Sequence, residues 1–352
     1  MSRATVARGA REIVAAWPAI VIALLALVTT PHAPWRALGP LSAALLVGLA
    51  VRAIRDRAGS PSGPTEDAGF RTLATTVLRA AVVLSALRLD WAAIAQAGAR
   101  PWIVAVAAIF GGLGAFAMLS RWLGVRGPLV ALVAIGTSVC GAAAIAAAAP
   151  RLRARDEDVT VAIAIVSVLG AMFSMGFVLV HAWTGVGNDT YALVSGGSLH
   201  EVAHVVAAAG AVPASASLAL LTKLARVALL PIGLAVVHRV GRVPGVPGER
   251  HRMIPGLAVA FFVTSLVGSL PGWVPGLPAA VVDGWAAFRH GVLVFANMAL
   301  AASMAAIGLR LAPRALARTD RAILRLALIG AVVVLLVAMI ATAMSDASAL
   351  SA

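Results

Sequence analysis

Apolar runs of roughly 20 residues, separated by short breaks rich in arginine, follow one another along the whole chain, the length and texture of helices that cross a bilayer. They extend from about Trp17 to Thr30, Leu38 to Ala53, Arg71 to Leu89, Pro101 to Leu119, Asp158 to Trp183, Ser217 to Val237, Ile254 to Leu270, Trp285 to Leu309 and Leu324 to Met344. Two more apolar segments are broken by glycine and small polar residues: Pro128 to Pro150, through Gly136-Thr-Ser-Val-Cys-Gly141, and Gly196 to Gly210, through Gly196-Gly-Ser-Leu-His-Glu201. The pattern predicts an all-α polytopic membrane protein of about ten membrane elements. We expect one integral membrane domain over residues 1–352, with a first half at 1–150 and a second at 157–345. Gly59 to Asp67 is the clear flexible loop,.

The interrupted segments organise the rest. A backbone that unwinds at Gly136 and Gly141 exposes N–H and C=O groups, which hydrocarbon tolerates only where they line a cavity or a solute site. Shifting the first segment by 60 residues (196 less 136) lays Gly136 on Gly196, Ser138 on Ser198 and Cys140 on His200. Two interrupted elements facing one another is how many secondary transporters build a midplane site, often from inverted repeats. Leu87-Arg88-Leu89 and Leu309-Arg310-Leu311 are a second self-match, at a different offset.

Composition agrees with the pattern: 61% hydrophobic, 12% charged and a mean hydropathy of +0.97 leave too few polar groups to cover a soluble fold,. The net charge of +14 sits in loop clusters, which sets orientation in a bilayer rather than marking a nucleic-acid surface. With the amino terminus cytoplasmic, Arg52 to Arg57 and Arg121 to Arg126 fall inside. A full crossing between Pro128 and Pro150 then puts Arg151, Arg153 and Arg155 outside, whereas a re-entrant segment keeps them inside; both remain open at this point.

His200 and Glu201 are ionisable at membrane depth, where their cost makes function the default reading. Glu201 is a candidate carrier of a coupling proton, and His200 a candidate anion ligand or proton shuttle. Thr137, Ser138 and Ser198 offer hydroxyls, and helix N-termini at the breaks offer N–H groups to an oxyanion. Lys223 and Arg226, three apart, share a helix face,; they suit either a divalent oxyanion or a structural pairing with Glu201. The lone Cys140 reads as a small buried residue. His200-Glu-Val-Ala-His204 also fits the H-E-x-x-H pattern, in which two histidines on one helix face bind zinc beside a glutamate base,. That makes an intramembrane zinc metalloprotease the alternative function.

Gly136-Thr-Ser-Val-Cys-Gly-Ala-Ala-Ala-Ile-Ala146, Ser198-Leu-His-Glu-Val-Ala-His204 and Lys223-Leu-Ala-Arg-Val227, with Leu78 to Leu89 and Met304 to Leu309, resemble the signature segments of the YeiH family, bacterial membrane proteins proposed to export sulfate. The resemblance implies a bacterial inner-membrane transporter with bile-acid symporter or cation–proton antiporter-like architecture. No cofactor is expected. Ala81 and Ala86 stand where the family carries glycine, and His204 where it carries glutamine. The expected function is secondary transport of a small anion, a sulfur oxyanion, coupled to protons. The expected substrate- and ion-binding residues are Gly136, Thr137, Ser138, Cys140, Gly141, Gly196, Ser198, His200, Glu201, Lys223 and Arg226. Besides anion and protons, the lipid bilayer and a second copy of the chain are the partners considered.

Overall fold

Helix makes up nearly all of the described chain in the computed structural model, and there is no strand among the described residues. These are residues 12–29, 39–60, 62–209, 212, 215–240, 256–274, 276–311 and 319–350. Arg3, Arg8 and Arg11, the basic positions 242–252 and residues 312–318 lie outside them. The chain divides into two compact units, and neither is a contiguous half: Met1–Ser85 with Pro278–Thr319, and Ala86–Leu277 with Asp320–Ala352.

The first unit contains α1 (Trp17–Thr29), α2 (Gly39–Arg57), most of α3 (Pro64–Arg88) and α14 (Ala279–Arg310). Helix begins at Pro64, inside the expected loop at Gly59 to Asp67, because proline opens a helix readily and Glu66 and Asp67 suit its positive end,. α14 begins six residues before the expected Trp285. Small residues set the α2–α14 contact: a Cβ at Gly48 would overlap the Ala305 carbonyl, and one at Gly308 would overlap that of Leu45. Backbones meeting this closely are how helices associate where lipid removes the hydrophobic drive. At one end of the contact Arg52 donates to the Leu309 carbonyl at 3.3 Å, and Arg310 stands 3.6 Å from Asp67.

The second unit holds α4 (Trp91–Gln96), α5 (Arg100–Trp122), α6 (Pro128–Ser138), α7 (Ala142–Ala148) and α8 (Asp156–Thr184). It continues with α9 (Asn188–Ser198), α10 (Val202–Ala209), α11 (Ala216–Ala228), α12 (Leu230–Val240), α13 (Gly256–Trp273) and α15 (Arg321–Leu350). Arg100, at the start of α5, pairs with Asp189 at the start of α9 and with Asp346 near the end of α15, so these three ends share a face.

Among the described residues, five helices are long and apolar enough to cross a membrane: α3, α5, α8, α14 and α15. A sixth crossing results if α11 and α12, bent by 45°, act as one; α1, α6 and the apolar part of α13 are shorter. Leu328, Leu336, Met339, Ile340 and Met344 lie exposed along α15, a face that only lipid or another apolar surface can cover,. Exposed Trp17, Trp122, Trp183 and Trp273 sit at helix ends, where tryptophan marks the bilayer interface,.

Replacing Gly308 or Gly48 with leucine should force α2 and α14 apart and cost about 2–3 kcal/mol. The thermal midpoint in detergent then falls by several degrees, while Gly291→Ala on α14, where a Cβ meets nothing, leaves it unchanged. Equal midpoints for all three variants would contradict the packing.

Candidate functional site

Both interrupted segments double back. A Cβ on Gly136 of α6 would touch the Ile145 side chain of α7, although residues nine apart in a continuous helix stand about 13.5 Å apart along its axis,. Likewise the Tyr191 hydroxyl of α9 donates at 3.0 Å to the Ala208 carbonyl of α10, residues that a straight helix would hold about 25 Å apart,. Each segment is a hairpin of two half-helices with a three-residue tip, Val139–Gly141 in one and Leu199–Glu201 in the other. The 60-residue offset holds throughout: α6 and α9 are both 11 residues, their starts and ends lie 60 apart (188 less 128, 198 less 138), and so do the starts of α7 and α10 (202 less 142).

The tips lie three residues beyond the glycines expected to open them. Gly136 and Gly196 stay helical and serve close packing instead: Gly136 against Ile145 and Val166, Gly196 against the Ala219 carbonyl and Thr222 of α11. Gly141 does break the chain. Its φ of +69° lies in the left-handed region, and a Cβ there would also overlap the Glu201 side chain,.

A helix that stops leaves its last carbonyls without partners. Here α11 supplies them. Lys223 Nζ donates to the carbonyls of Val139 at 2.9 Å, Leu199 at 2.7 Å and His200 at 2.8 Å. The Arg226 guanidinium donates to Leu199 at 3.0 Å, Thr137 at 3.1 Å and Ser138 at 2.8 Å. Both side chains are fully buried. A direct ion pair with Glu201, one of the two roles expected of these cations, does not form among the described residues; they clamp the two tips together. The three N–H bonds of the ammonium are spent on three carbonyls, which leaves Lys223 none for an anion.

Glu201 is held from the other side. Ser167 of α8 donates to its Oε1 at 2.8 Å, the amino end of α7 at Gly141 and Ala142 meets its carboxyl, and its Oε2 has no protein partner. That helix end, expected to face an oxyanion, therefore faces the protein's own carboxylate. The His200 ring stands edge-on to Phe173, 5.9 Å between centroids, and neither of its nitrogens meets a protein group. The buried Thr137 and Ser138 hydroxyls also lack protein partners. Ser198, by contrast, donates to Val194 at 2.7 Å within its own helix, and Cys140 is a buried free thiol.

The zinc pattern does not hold its shape. α10 begins at Val202, so His200 lies in the tip and the two histidines do not stand on one helix face. No group of three metal-ligating side chains occurs among the described residues. His204 instead packs its ring on Gly170, while its carbonyl accepts from Ser174 at 3.1 Å. The α8 residues in these contacts, Ser167, Gly170 and Ser174, were not anticipated. Their spacing, three and then four apart in an apolar helix, is a legible small-residue stripe.

One ammonium cannot reach both the Leu199 carbonyl and those of Thr137 and Ser138, which the forked guanidinium spans. Arg226→Lys should therefore cost about 2–4 kcal/mol of stability, read as a lower thermal midpoint in detergent. A midpoint equal to wild type would contradict the clamp.

A family model described as conserved hypothetical protein 698 matches residues 18–330, which include both hairpins, Lys223 and Arg226. A UPF0324 membrane protein of Listeria monocytogenes is 31% identical over 280 residues, 77% of this chain and 77% of its own. One of Bacillus cereus is 31% identical over 277 residues, again 77% of each chain, and one of Lactobacillus johnsonii is 29% identical over 281 residues, 75% of this chain and 78% of its own. No solved structure matches the chain. The chain belongs to the UPF0324, or YeiH, family of membrane proteins.

Proposed function

We propose that this protein is a secondary transporter that carries a small anion, a sulfur oxyanion such as sulfate, by alternating access around the joined hairpin tips. The supporting observation is chemical. Lys223 and Arg226 bring two positive charges against the one carboxyl of Glu201 into a buried joint that also holds the unpartnered Thr137 and Ser138 hydroxyls and the His200 ring. An excess of positive charge at low dielectric favours an anion, and hydroxyl and imidazole groups without protein partners are available to hydrogen-bond it. The choice of a sulfur oxyanion rests on the resemblance to the YeiH family. Glu201, with one oxygen held by Ser167 and the other without a protein partner, is the proposed carrier of a coupled proton.

In this reading α5–α7 and α8–α10 are inverted repeats. Each joins a long helix, which crosses, to a hairpin, which returns to its own side, so the second copy starts opposite the first. With a cytoplasmic amino terminus and re-entrant hairpins, Arg52 to Arg57, Arg121 to Arg126 and Arg151 to Arg155 all fall inside, in line with the positive-inside bias,. The Arg100, Asp189 and Asp346 ends then fall together outside, matching their ion pairs.

Thr137→Val and Ser138→Ala delete hydroxyls that bond nothing in the protein, so both variants should keep the wild-type thermal midpoint. Uptake of radiolabelled sulfate, sulfite or thiosulfate by proteoliposomes should nonetheless drop about tenfold or more, the loss of one hydrogen bond to a charged ligand. Normal uptake by both variants, or no uptake of any of these anions by the wild type, would refute the reading. Glu201→Gln keeps an acceptor for Ser167 and should abolish the response of uptake to an imposed pH gradient; a retained response removes the proton role.

A further inference from the structure

We infer that the Lys223 ammonium is a tethered monovalent cation, filling a carbonyl-lined cation site formed by the two hairpin tips, so that this position takes no dissolved Na⁺ or K⁺ while the lysine is present. The site is built from backbone. Three carbonyl oxygens, of Val139, Leu199 and His200, converge on one nitrogen at 2.7–2.9 Å although they come from segments 60 residues apart (199 less 139). Two of them belong to the residues just after α6 and α9, where the negative ends of those helices point,. Interrupted helices in transporters use the same groups, unwound carbonyls and half-helix C-terminal ends, to coordinate dissolved cations.

Lys223 meets this site as a cation would. Its side chain is fully buried, and no carboxylate lies within ion-pair distance of it among the described residues. The groups in direct contact with its ammonium are carbonyl dipoles, not a carboxylate. Three acceptors at hydrogen-bond distance match the three N–H bonds of the protonated amine, one each. Arg226 binds Thr137, Ser138 and Leu199 separately, so trimming Lys223 leaves the tips joined and the Val139, Leu199 and His200 oxygens still convergent. The inference does not depend on what the protein carries, because it concerns a site that is internal to the fold and is read by stability.

The experiment uses the full chain in nanodiscs and follows thermal unfolding of wild type and Lys223→Ala in ammonium, methylammonium, potassium, sodium and tetramethylammonium chloride at matched ionic strength. Lys223→Ala should be destabilised in tetramethylammonium and recover saturably in ammonium and methylammonium, which reproduce the lost group, with potassium partly effective. Wild type should respond to none of these cations beyond the tetramethylammonium baseline. Saturable stabilisation of the wild type by sodium or potassium, a Lys223→Ala variant as stable as wild type, or one indifferent to every small cation would overturn the inference. Should the alanine variant not fold, Lys223→Gln takes its place, and indifference of that variant to ammonium overturns it equally. Failure here with intact sulfate uptake would leave the transport reading standing, and the converse would leave this one.

Discussion

Five backbone carbonyls at the ends of two half-helices, and the two buried cations that satisfy them, are what the second unit depends on. A helix stopped in mid-membrane has no water to take its final C=O groups, so it can stop only where something donates to them. Lys223 and Arg226 stand on one face of α11, one turn apart, and between them donate to Thr137, Ser138, Val139, Leu199 and His200. Neither cation could be left buried without those carbonyls, and neither hairpin could end where it does without the cations. The mutual need explains why two segments far apart in sequence come to one point.

The hairpins share a register but not a chemistry. At equivalent tip positions one has Val139-Cys140-Gly141 and the other Leu199-His200-Glu201. The missing side chain at Gly141 makes room for the carboxyl that Glu201 brings from the other tip. One hairpin thus contributes backbone conformation and the other contributes ionisable groups, so the joint is symmetric in fold and asymmetric in charge. α8 completes it, with Ser167 orienting the carboxyl and Gly170 admitting the histidine ring of α10.

Much of this was legible before any coordinate. Hydropathy outlines the long helices, and the offset between Gly136 and Gly196 anticipates two hairpins of equal register. Other features were not, for reasons that lie in the physics. A glycine that lets backbones touch looks the same in sequence as one that breaks a helix, so the tips were expected at Gly136 and Gly196 and lie beyond them. Backbone carbonyls carry no letter of their own, so Lys223 and Arg226 were matched with an oxyanion or with Glu201, the one acidic side chain in the interrupted segments, rather than with the main chain they bind. His200-Glu-Val-Ala-His204 assumes a continuous helix, and the chain does not become helical until Val202. The short polar segment at Gly59 to Asp67 was expected as a loop, yet helix starts within it, with Pro64 itself at the first helical position.

If one clamp holds both hairpins, loosening it must loosen both. Hydrogen–deuterium exchange of Arg226→Met against wild type measures this directly. The account predicts that peptides covering 135–145 and 195–205 lose protection together, while α2 and α14 of the other unit keep theirs. Loss confined to one hairpin, or to neither, would contradict it.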